Sequence, residues 1–550
     1  MICVLHGWLL EGSGSNLWTR SVVAGLCRLG ETVHLVCQEN HPERYDFISS
    51  AIRHSVTGAS ERTLDRETPY PGKCVLHQPL LGETLPVFVT DKYEEYSRVV
   101  PMVELETGEI EDYIELNSRI VAGIVRDNGI TAIHANHAVL MPTVAQRVKR
   151  ETGVPYAVMP HGSDIEYAVK KDSRFAGYAA SALEEAGRVF TIGAEMRTRL
   201  DDVFPGVAGL DSRSVELHLG VDTARFTPVE RGDRRASIEW LSRGLEGERR
   251  GRTAEQTRRL RESLAAGARG DDLDHALRAA SEYDGKAPDA DVEAKLSAIA
   301  WGSDDVLLFT GRIISMKGIQ SVIAALPLIL EKVPTLRLVI VGHGPLREPM
   351  EALLFALEHG ERALAQEIVA RGRTLEGDPE GGNAGGELAE VRDYFLDLAR
   401  RGQLERYFAA AKERIREESV VFTGYLTHRE LRFLFPCCDV GIFPSVVREA
   451  GPLVFLEALA SGCFPLGTYT GGMAASIDAV ADELGAEAAG AMKLDPVRTT
   501  SDIVARVPEA VALAPRYREE LARVARERYD WSRVAATLKR ELEAMGAESD

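Results

Sequence analysis

The feature that most limits the fold is one layout used twice: a short, wholly apolar segment, a glycine-bearing turn, an amphipathic stretch, and a second apolar segment. The first copy runs MICVLHG, EGSGSN, a helical stretch over 17–29, then ETVHLVCQE. The second runs DDVLLFTGR, ISMKG, IQSVIAALPLILEKV and LRLVIVGHG. Strands without a polar face must be covered on both sides, and alternating helices cover them. The pattern therefore predicts an α/β chain with parallel, doubly wound sheets. More apolar segments follow in each half: ITAIHAN, PYAVMPHG, RVFTIG and SVELHLG, then SVVFTGYL, DVGIFPS and CFPLGTY. A chain of 550 residues exceeds what one core of this kind needs. Two Rossmann-like domains facing a cleft is the economical arrangement, with a single large sheet as the alternative.

Three stretches break the alternation. Residues 40–115 mix Pro, Tyr and Glu with short apolar runs and read as an elaborated loop or hairpin region. Residues 229–300 are charged, alanine-rich and helical in pattern, with seven arginines between Arg243 and Arg261. Residues 354–418 are again helical, interrupted by EGDPEGGNAGGE, which reads as a mobile linker. All three are expected to be insertions on a smaller core. The boundaries become 1–228, 229–300 and 301–529. The arginine cluster is most simply a solvated helix face; the sharper reading is a docking surface for an anionic acceptor, a lipid or a second subunit.

Charge narrows the function classes. The chain carries 65 Lys+Arg against 84 Asp+Glu, a net −19. Coating nucleic acid needs a basic face, so nucleic acid is not an expected partner. Seven cysteines form neither a disulfide framework nor a zinc spacing, which fits a reducing cytoplasm. The N-terminal run meets Glu11 within a dozen residues and reads as a buried strand, not a signal peptide. No window is apolar enough for a transmembrane helix, which leaves peripheral membrane contact open.

Candidate chemistry sits where strands end. In doubly wound sheets ligands bind outside the carboxyl ends of the strands. Arg312 follows such an end and Lys317 precedes the next helix; a guanidinium fork and a mobile ammonium suit a diphosphate. Glu449 lies in the turn after DVGIFPS, and Glu457 follows on the next helix, whose apolar face is Leu453, Leu456 and Ala460. The first amides of that helix are free to meet phosphate, and a carboxylate one or two turns in suits ribose hydroxyls. In the first half, Gly12, Gly14, Ser15 and Asn16 form a turn that lets backbone approach a ligand. His161, with Gly162, Ser163 and Asp164, ends YAVMP and is a candidate donor to a sugar or a leaving phosphate. Asn136 and His137 end ITAIHA and face the acceptor side, or are simply a turn and a helix cap.

In order along the chain, GSGSN, HGSD, HLGVDTARFTP, the GR…KG pair at 311–318, VIVGHGPL, VVFTGYL, the two glutamates, EALASGCFPLGT and YDWSRVA resemble the retaining nucleotide-sugar glycosyltransferases of glycosyltransferase family 4, which have the GT-B fold. The resemblance covers both cores and fails over the insertions. It implies that Arg312 and Lys317 bind the donor diphosphate, that Glu457 holds the ribose, and that Glu449 holds sugar hydroxyls beside the anomeric carbon. It implies that His161 contacts the sugar and that backbone at Gly424, Tyr425 and Leu426 reads the base. Gly14 and Ser15 would lie under the diphosphate, with Gly342 and Gly451 beside the donor. Asn16, Asn136, His137 and Asp164 would face the acceptor. The closing helix over 530–550 would return to the first domain, anchored by Trp531. One departure stands out: where the family commonly has Phe-Gly, this chain has Gly451-Pro452. Proline has no N–H, so Leu453 and Val454 would supply the amides.

The implied activity is transfer of a hexose or N-acetylhexosamine, with retention, from a UDP-, GDP- or ADP-sugar to a hydroxyl acceptor, a small molecule or glycan. No cofactor is required; Mg2+ is compatible but not implied. The insertions offer surface for homo-oligomers. The alternatives are a nucleotide-sugar epimerase or hydrolase of the same fold, and a non-catalytic sugar-nucleotide-binding protein. Pyridoxal-phosphate phosphorylases share the architecture, but no cofactor-lysine context is evident.

Overall fold

The computed structural model describes residues 1–12, 14–88, 96–376, 386–448 and 451–547. The chain forms two compact units, 1–220 with 528–550, and 221–527. Among the described residues no helix is long and apolar enough to cross a membrane.

The first unit contains β1 Ile2–Leu5, β2 Thr32–Val36, β3 Ile48–His54, β4 Ser60–Asp65, β5 Lys73–Pro79, β6 Thr84–Val87, β7 Arg98–Pro101, β8 Ala132–Asn136, β9 Tyr156–Met159, β10 Arg188–Thr191 and β11 Ser214–Glu216. Nine of them make one sheet in the order β11-β10-β9-β8-β1-β2-β5-β3-β4, and β6 and β7 pair separately. Ile2 of β1 lies beside Val33 on one side and Ala132 on the other. Strand order reverses at β1, so the crevice of this sheet opens at the carboxyl ends of β1 and β8.

The region 40–115, read as an elaborated loop or hairpin, holds a hairpin and also a strand inside the sheet. β5 is an interior strand beside β2, paired Thr32 to Lys73, and β3–β4 is an antiparallel hairpin widening the sheet edge. In sequence that hairpin takes the place of a helix crossing from β2 to β5; in space it lies in the sheet beside β5. His34, His54 and His77, on three neighbouring strands, line a groove of about 1050 Å³. Their rings bond in series: His34 Nδ1 to His77 Nε2 at 3.0 Å, and His77 Nδ1 to His54 Nε2 at 2.9 Å.

The last helix, Trp531–Ala547, packs on the helix Gly14–Arg28. Glycines make the close approach: a Cβ on Gly25 would lie 2.8 Å from Ala535 Cβ, and one on Gly220 2.4 Å from the Trp531 ring. Lys539 Nζ pairs with Glu31 at 2.6 Å.

The second unit has β12 Asp305–Thr310, β13 Leu336–Val341, β14 Val420–Gly424, β15 Val440–Phe443, β16 Phe464–Thr468 and β17 Lys493–Leu494. They form one sheet in the order β14-β13-β12-β15-β16-β17, with every pairing parallel. This is the doubly wound dinucleotide-binding order, with its switch point between β12 and β15.

The stretch 229–300 is not a separate body. It belongs to the second unit, whose boundary falls at Val221. It carries the helices Arg234–Gly244, Ala254–Ala265 and Asp271–Ala280, and buried charges tie the stretch to the rest of the unit. Arg234 forks onto Asp439 at 3.1 and 2.6 Å. Arg252, wholly buried, pairs with Glu348 and, at 2.7 Å, with Glu351. Arg347 forks onto Asp289 at 2.7 and 2.6 Å. The arginine cluster is therefore only partly a solvated face. Arg258 and Arg259 are exposed beside Glu255, but Arg252 is sealed from any external anion. Most of EGDPEGGNAGGE lies outside the described residues.

Candidate active site

At the switch point of the second unit, two loops lie in direct contact. The chain leaving β12 makes the turn Gly311–Gly318, with Arg312 exposed and Lys317 half-buried. Gly318 has φ +75°, and a Cβ there would sit 1.9 Å from the carbonyl oxygen of Pro444, just past β15. Val446 N–H and Ser445 Oγ both bond to Met316 O, at 2.8 and 3.2 Å. Gly342 closes the other side: it has φ +142°, and a Cβ there would lie 1.9 Å from Gly311 O. Only glycine permits these approaches. They fix the turn that carries both cations.

Glu449 lies outside the described residues. Beyond it come half-buried Gly451 and buried Pro452, then the helix Leu453–Ala460. Leu453 and Val454 are the first two residues of that helix, where amides lack helical acceptors. Glu457 sits one turn in with its side chain only 5% exposed. Its Oε1 receives His428 Nε2 at 2.8 Å. Its Oε2 is buried and has no hydrogen-bond partner among the described residues. A buried carboxylate oxygen without a donor costs stability unless something supplies one, so this atom marks a place for a hydroxyl or a water.

The backbone at Gly424–Leu426 follows β14 and is partly engaged by the chain itself. The segment 287–289 lies against it: Tyr425 N–H donates to Ala287 O at 3.1 Å, and Asp289 N–H to Thr423 O at 2.8 Å. Tyr425 N–H is thus already engaged by the chain itself. The Tyr425 ring meets His343 edge-on at 5.3 Å. Buried Leu426 leads into the helix His428–Leu434.

At the switch point of the first unit the structure collects histidines. His6 follows β1, His137 follows β8 and His161 follows β9. The rings of His137 and His161 are 4.8 Å apart, those of His6 and His137 5.9 Å, and Trp8 meets His137 edge-on at 4.5 Å. His161 Nε2 lies 2.8 Å from Asn136 Oδ1. Asn136 Nδ2 donates to Leu5 O at 3.4 Å and Thr19 Oγ1 at 3.3 Å. Those donations orient the amide, so His161 carries its proton on Nε2 and presents Nδ1 as an acceptor. A neutral His161 whose N–H is engaged by Asn136 keeps Nδ1 as an acceptor and has no second ring N–H to donate.

His6 Nε2 meets Asn16 Oδ1 at 3.0 Å and its Nδ1 meets Thr19 Oγ1 at 3.1 Å. Ser15 packs beside Asn16, and Gly14 is the exposed first residue of their helix. Desolvation brings His6 down to about 4 and holds His137 and His161 well below the ordinary imidazole range. All three are neutral at pH 7.

Asn136 and His137 are not a helix cap. The helix Met141–Thr152 begins after Leu140 with no capping side chain. Both residues are buried, and neither ring nitrogen of His137 has a hydrogen-bond partner among the described residues. His137 and Leu140 have φ of 69° and 62°, strain that non-glycine residues rarely carry. Asp164 is an anchor: its carboxylate accepts the N–H groups of Ala138 at 2.5 Å, His161 at 3.3 Å and Ile165 at 3.0 Å. Burial raises its pKa against those amides. It lies 3.9 Å from His137 Nδ1, but a neutral imidazole makes no ion pair there.

His6, Thr19, Trp8 and His428 are absent from the sequence-level candidates. His6 carries the same signal as His161, a His-Gly pair at the carboxyl end of an apolar strand, and is open to the same reading. His428 carries none, since its partner is 29 positions away.

Family models match most of this architecture. Residues 13–208 match the glycosyl transferase 4-like domain, and residues 294–364 and 388–492 match two models of glycosyl transferases group 1. Comparison with curated proteins finds no significant match. Among solved structures, sucrose-phosphate synthase from Thermosynechococcus elongatus aligns at TM-score 0.54 and 14% identity, over 100% of this chain and 99% of that one. A glycosyltransferase from Rickettsia africae ESF-5 aligns at TM-score 0.52 and 12% identity, over 99% and 98%. The N-terminal domain of trehalose-6-phosphate phosphatase from Candida albicans aligns at TM-score 0.51 and 11% identity, over 99% and 96%. At these identities the structures speak for the fold, and the family models for the class. An N-terminal glycosyltransferase 4-like domain and a C-terminal group 1 domain, each on its own doubly wound sheet, make this chain a glycosyltransferase of the GT-B fold.

Proposed function

We propose that the chain transfers a hexose or N-acetylhexosamine, with retention, from a nucleoside-diphosphate sugar to a hydroxyl acceptor. The observation that carries this reading is in the second unit. Arg312 and Lys317 lie on a turn at the switch point, and Glu457, on the helix leaving β15, keeps a buried oxygen without a donor among the described residues. Two cations suit a diphosphate, and a carboxylate with a vacant acceptor suits ribose hydroxyls. The helix amides of Leu453 and Val454 add donors for phosphate oxygen. Glu449 is the residue we assign to the donor sugar's hydroxyls. In the first unit, His161 Nδ1 accepts from a sugar hydroxyl, with Asn136 fixing the ring.

The reaction forms the bond from acceptor oxygen to anomeric carbon and breaks the bond from that carbon to the diphosphate oxygen. The acceptor attacks on the face the diphosphate leaves, and its proton passes to a departing phosphate oxygen. Arg312 and Lys317 stabilise the charge that grows on the diphosphate; fixed cations aimed at developing charge are the larger part of such catalysis. The first experiment is thermal-shift binding of UDP, GDP, ADP and their common sugar conjugates without acceptor. A ligand at a hundredfold excess over its Kd stabilises the fold by about 2.7 kcal/mol. A shift with one base fixes the donor; no shift with any of them removes the reading. Incubating the bound donor alone tests the second reading, because an epimerase or hydrolase converts it without acceptor.

A further inference from the structure

The contact between Glu457 and His428 is not explained by helix formation or by core packing. Glu457 is a carboxylate with its side chain 5% exposed, yet its Oε1 is held by the imidazole of His428, whose side chain is 42% exposed. The other carboxylate oxygen is buried and unpartnered among the described residues. Holding one oxygen of a carboxylate fixes the second in place, because the group is planar. The anchor itself is rigid. His428 is the first residue of the helix His428–Leu434, and Thr427 caps that helix by accepting Arg429 N–H at 3.2 Å. Buried Glu430 closes the cap, accepting Thr427 N–H at 2.8 Å and Thr427 Oγ1 at 2.6 Å. The imidazole is therefore set by local capping chemistry, and it in turn sets a carboxylate on the separate helix that follows β15.

We propose that His428 is a positioning residue for the ribose of the donor: it holds Glu457 Oε1 so that Oε2 stays aligned to accept the vicinal ribose hydroxyls. This rests on the donor-site reading above and goes beyond it by assigning how the ribose acceptor is aimed. The imidazole N–H neutralises part of the carboxylate's burial cost and blocks one oxygen, leaving a single acceptor for two adjacent hydroxyls. Without His428 the carboxylate regains rotation about its last torsion and reaches water at the exposed position the ring vacates. Ribose recognition then weakens while the diphosphate contacts of Arg312 and Lys317 are left as they were.

The test compares the full chain with His428→Ala and His428→Gln, the latter keeping an N–H donor at that position. Titrations use UDP, GDP and ADP and their 2′,3′-dideoxy forms. In the native chain the ribose forms of the preferred base bind roughly 10- to 100-fold tighter than the dideoxy forms, the scale of one charge-assisted hydrogen bond. His428→Ala brings that ratio close to one, with dideoxy binding unchanged; His428→Gln restores part of it. In turnover, His428→Ala raises KM for the donor and leaves kcat within about threefold, the pattern of a lost uniform-binding contact. An unchanged ratio in His428→Ala, or in His428→Leu if the alanine variant does not fold, overturns the proposal. A native chain that binds the diphosphates but ignores the ribose hydroxyls overturns it too, while sparing the donor site. Absence of any nucleotide binding overturns the donor site and this role together.

Discussion

At the scale of single residues, chemistry here depends on which polar atoms are left without partners. Glu457 Oε2 is buried without a donor among the described residues, whereas Asp164, equally buried, accepts the backbone amides of Ala138, His161 and Ile165. Sequence makes both acids candidate substrate contacts and does not show which keeps a vacant oxygen. Lys317 is legible because its place before a helix, five residues past Arg312, puts it at the carboxyl edge of an apolar strand. Removing it should show in turnover. An ion-assisted contact worth roughly 1.5–3 kcal/mol to the leaving diphosphate corresponds to a fall of about 10- to 100-fold in kcat for Lys317→Ala. Steady-state rates at saturating donor and acceptor check this, and near-native turnover would remove Lys317 from the mechanism.

At the scale of elements, close approach decides what packs where. The last helix seats Trp531 against Gly220 and Ala535 against Gly25, contacts that any Cβ on those glycines would obstruct. Trp531 is 5% exposed, so Trp531→Ala leaves a large cavity and should cost about 3–5 kcal/mol. Denaturant titration followed in the first unit checks it; a loss below about 1 kcal/mol would mean the helix is held elsewhere. The insertion 229–300 shows the limit of pattern reading at this scale. Its charge spacing looks like a solvated helix, and for Arg258 and Arg259 it is. Arg252 differs only in what faces it: Glu348 and Glu351, about a hundred residues later, close over it. A buried pair of this kind is costly to break, because the surviving charges lose their partner.

At the scale of the whole molecule, the balance of protons sets the acid limit. His6 titrates at about 4 and His134 at about 3, and His34, His54, His77, His137 and His161 are also lowered from 6.5, chiefly by desolvation. Unfolding returns each to the ordinary value, so below 6.5 the unfolded chain binds more protons than the folded one. The stability these histidines lend is full above about pH 6.5 and is lost as pH falls through the folded values. Each tenfold difference in proton affinity between the two states is worth about 1.4 kcal/mol. Asp164 and Glu348, both raised by burial, act in the opposite sense, but as two groups against the seven histidines named. Carboxylates whose pKa is lowered, such as Glu111 by Tyr178 and Arg147 and Glu185 by Arg150, act below about 4.5, so the change from pH 6.5 to 5 reports chiefly on the histidines. Urea midpoints at pH 7.5 and pH 5.2 test this: a clear drop at the lower pH is expected, and equal midpoints would refute it.

The sequence by itself determined the two sheets, the position of nearly every interior strand, and the two cations of the Gly311–Gly318 turn. Apolar runs and glycine turns act locally, within one strand–turn–helix unit, and so they can be read along the chain. Tertiary structure alone decided that β5 is interior, that Arg252 and Arg347 are sealed in ion pairs, and that Tyr425 N–H is taken by Ala287. It alone brought His6, His137 and His161 together and set His428 on Glu457. Each of those facts depends on a partner tens of residues or more away, and the free energy of a buried polar group is fixed by the partner it meets, not by its neighbours in sequence.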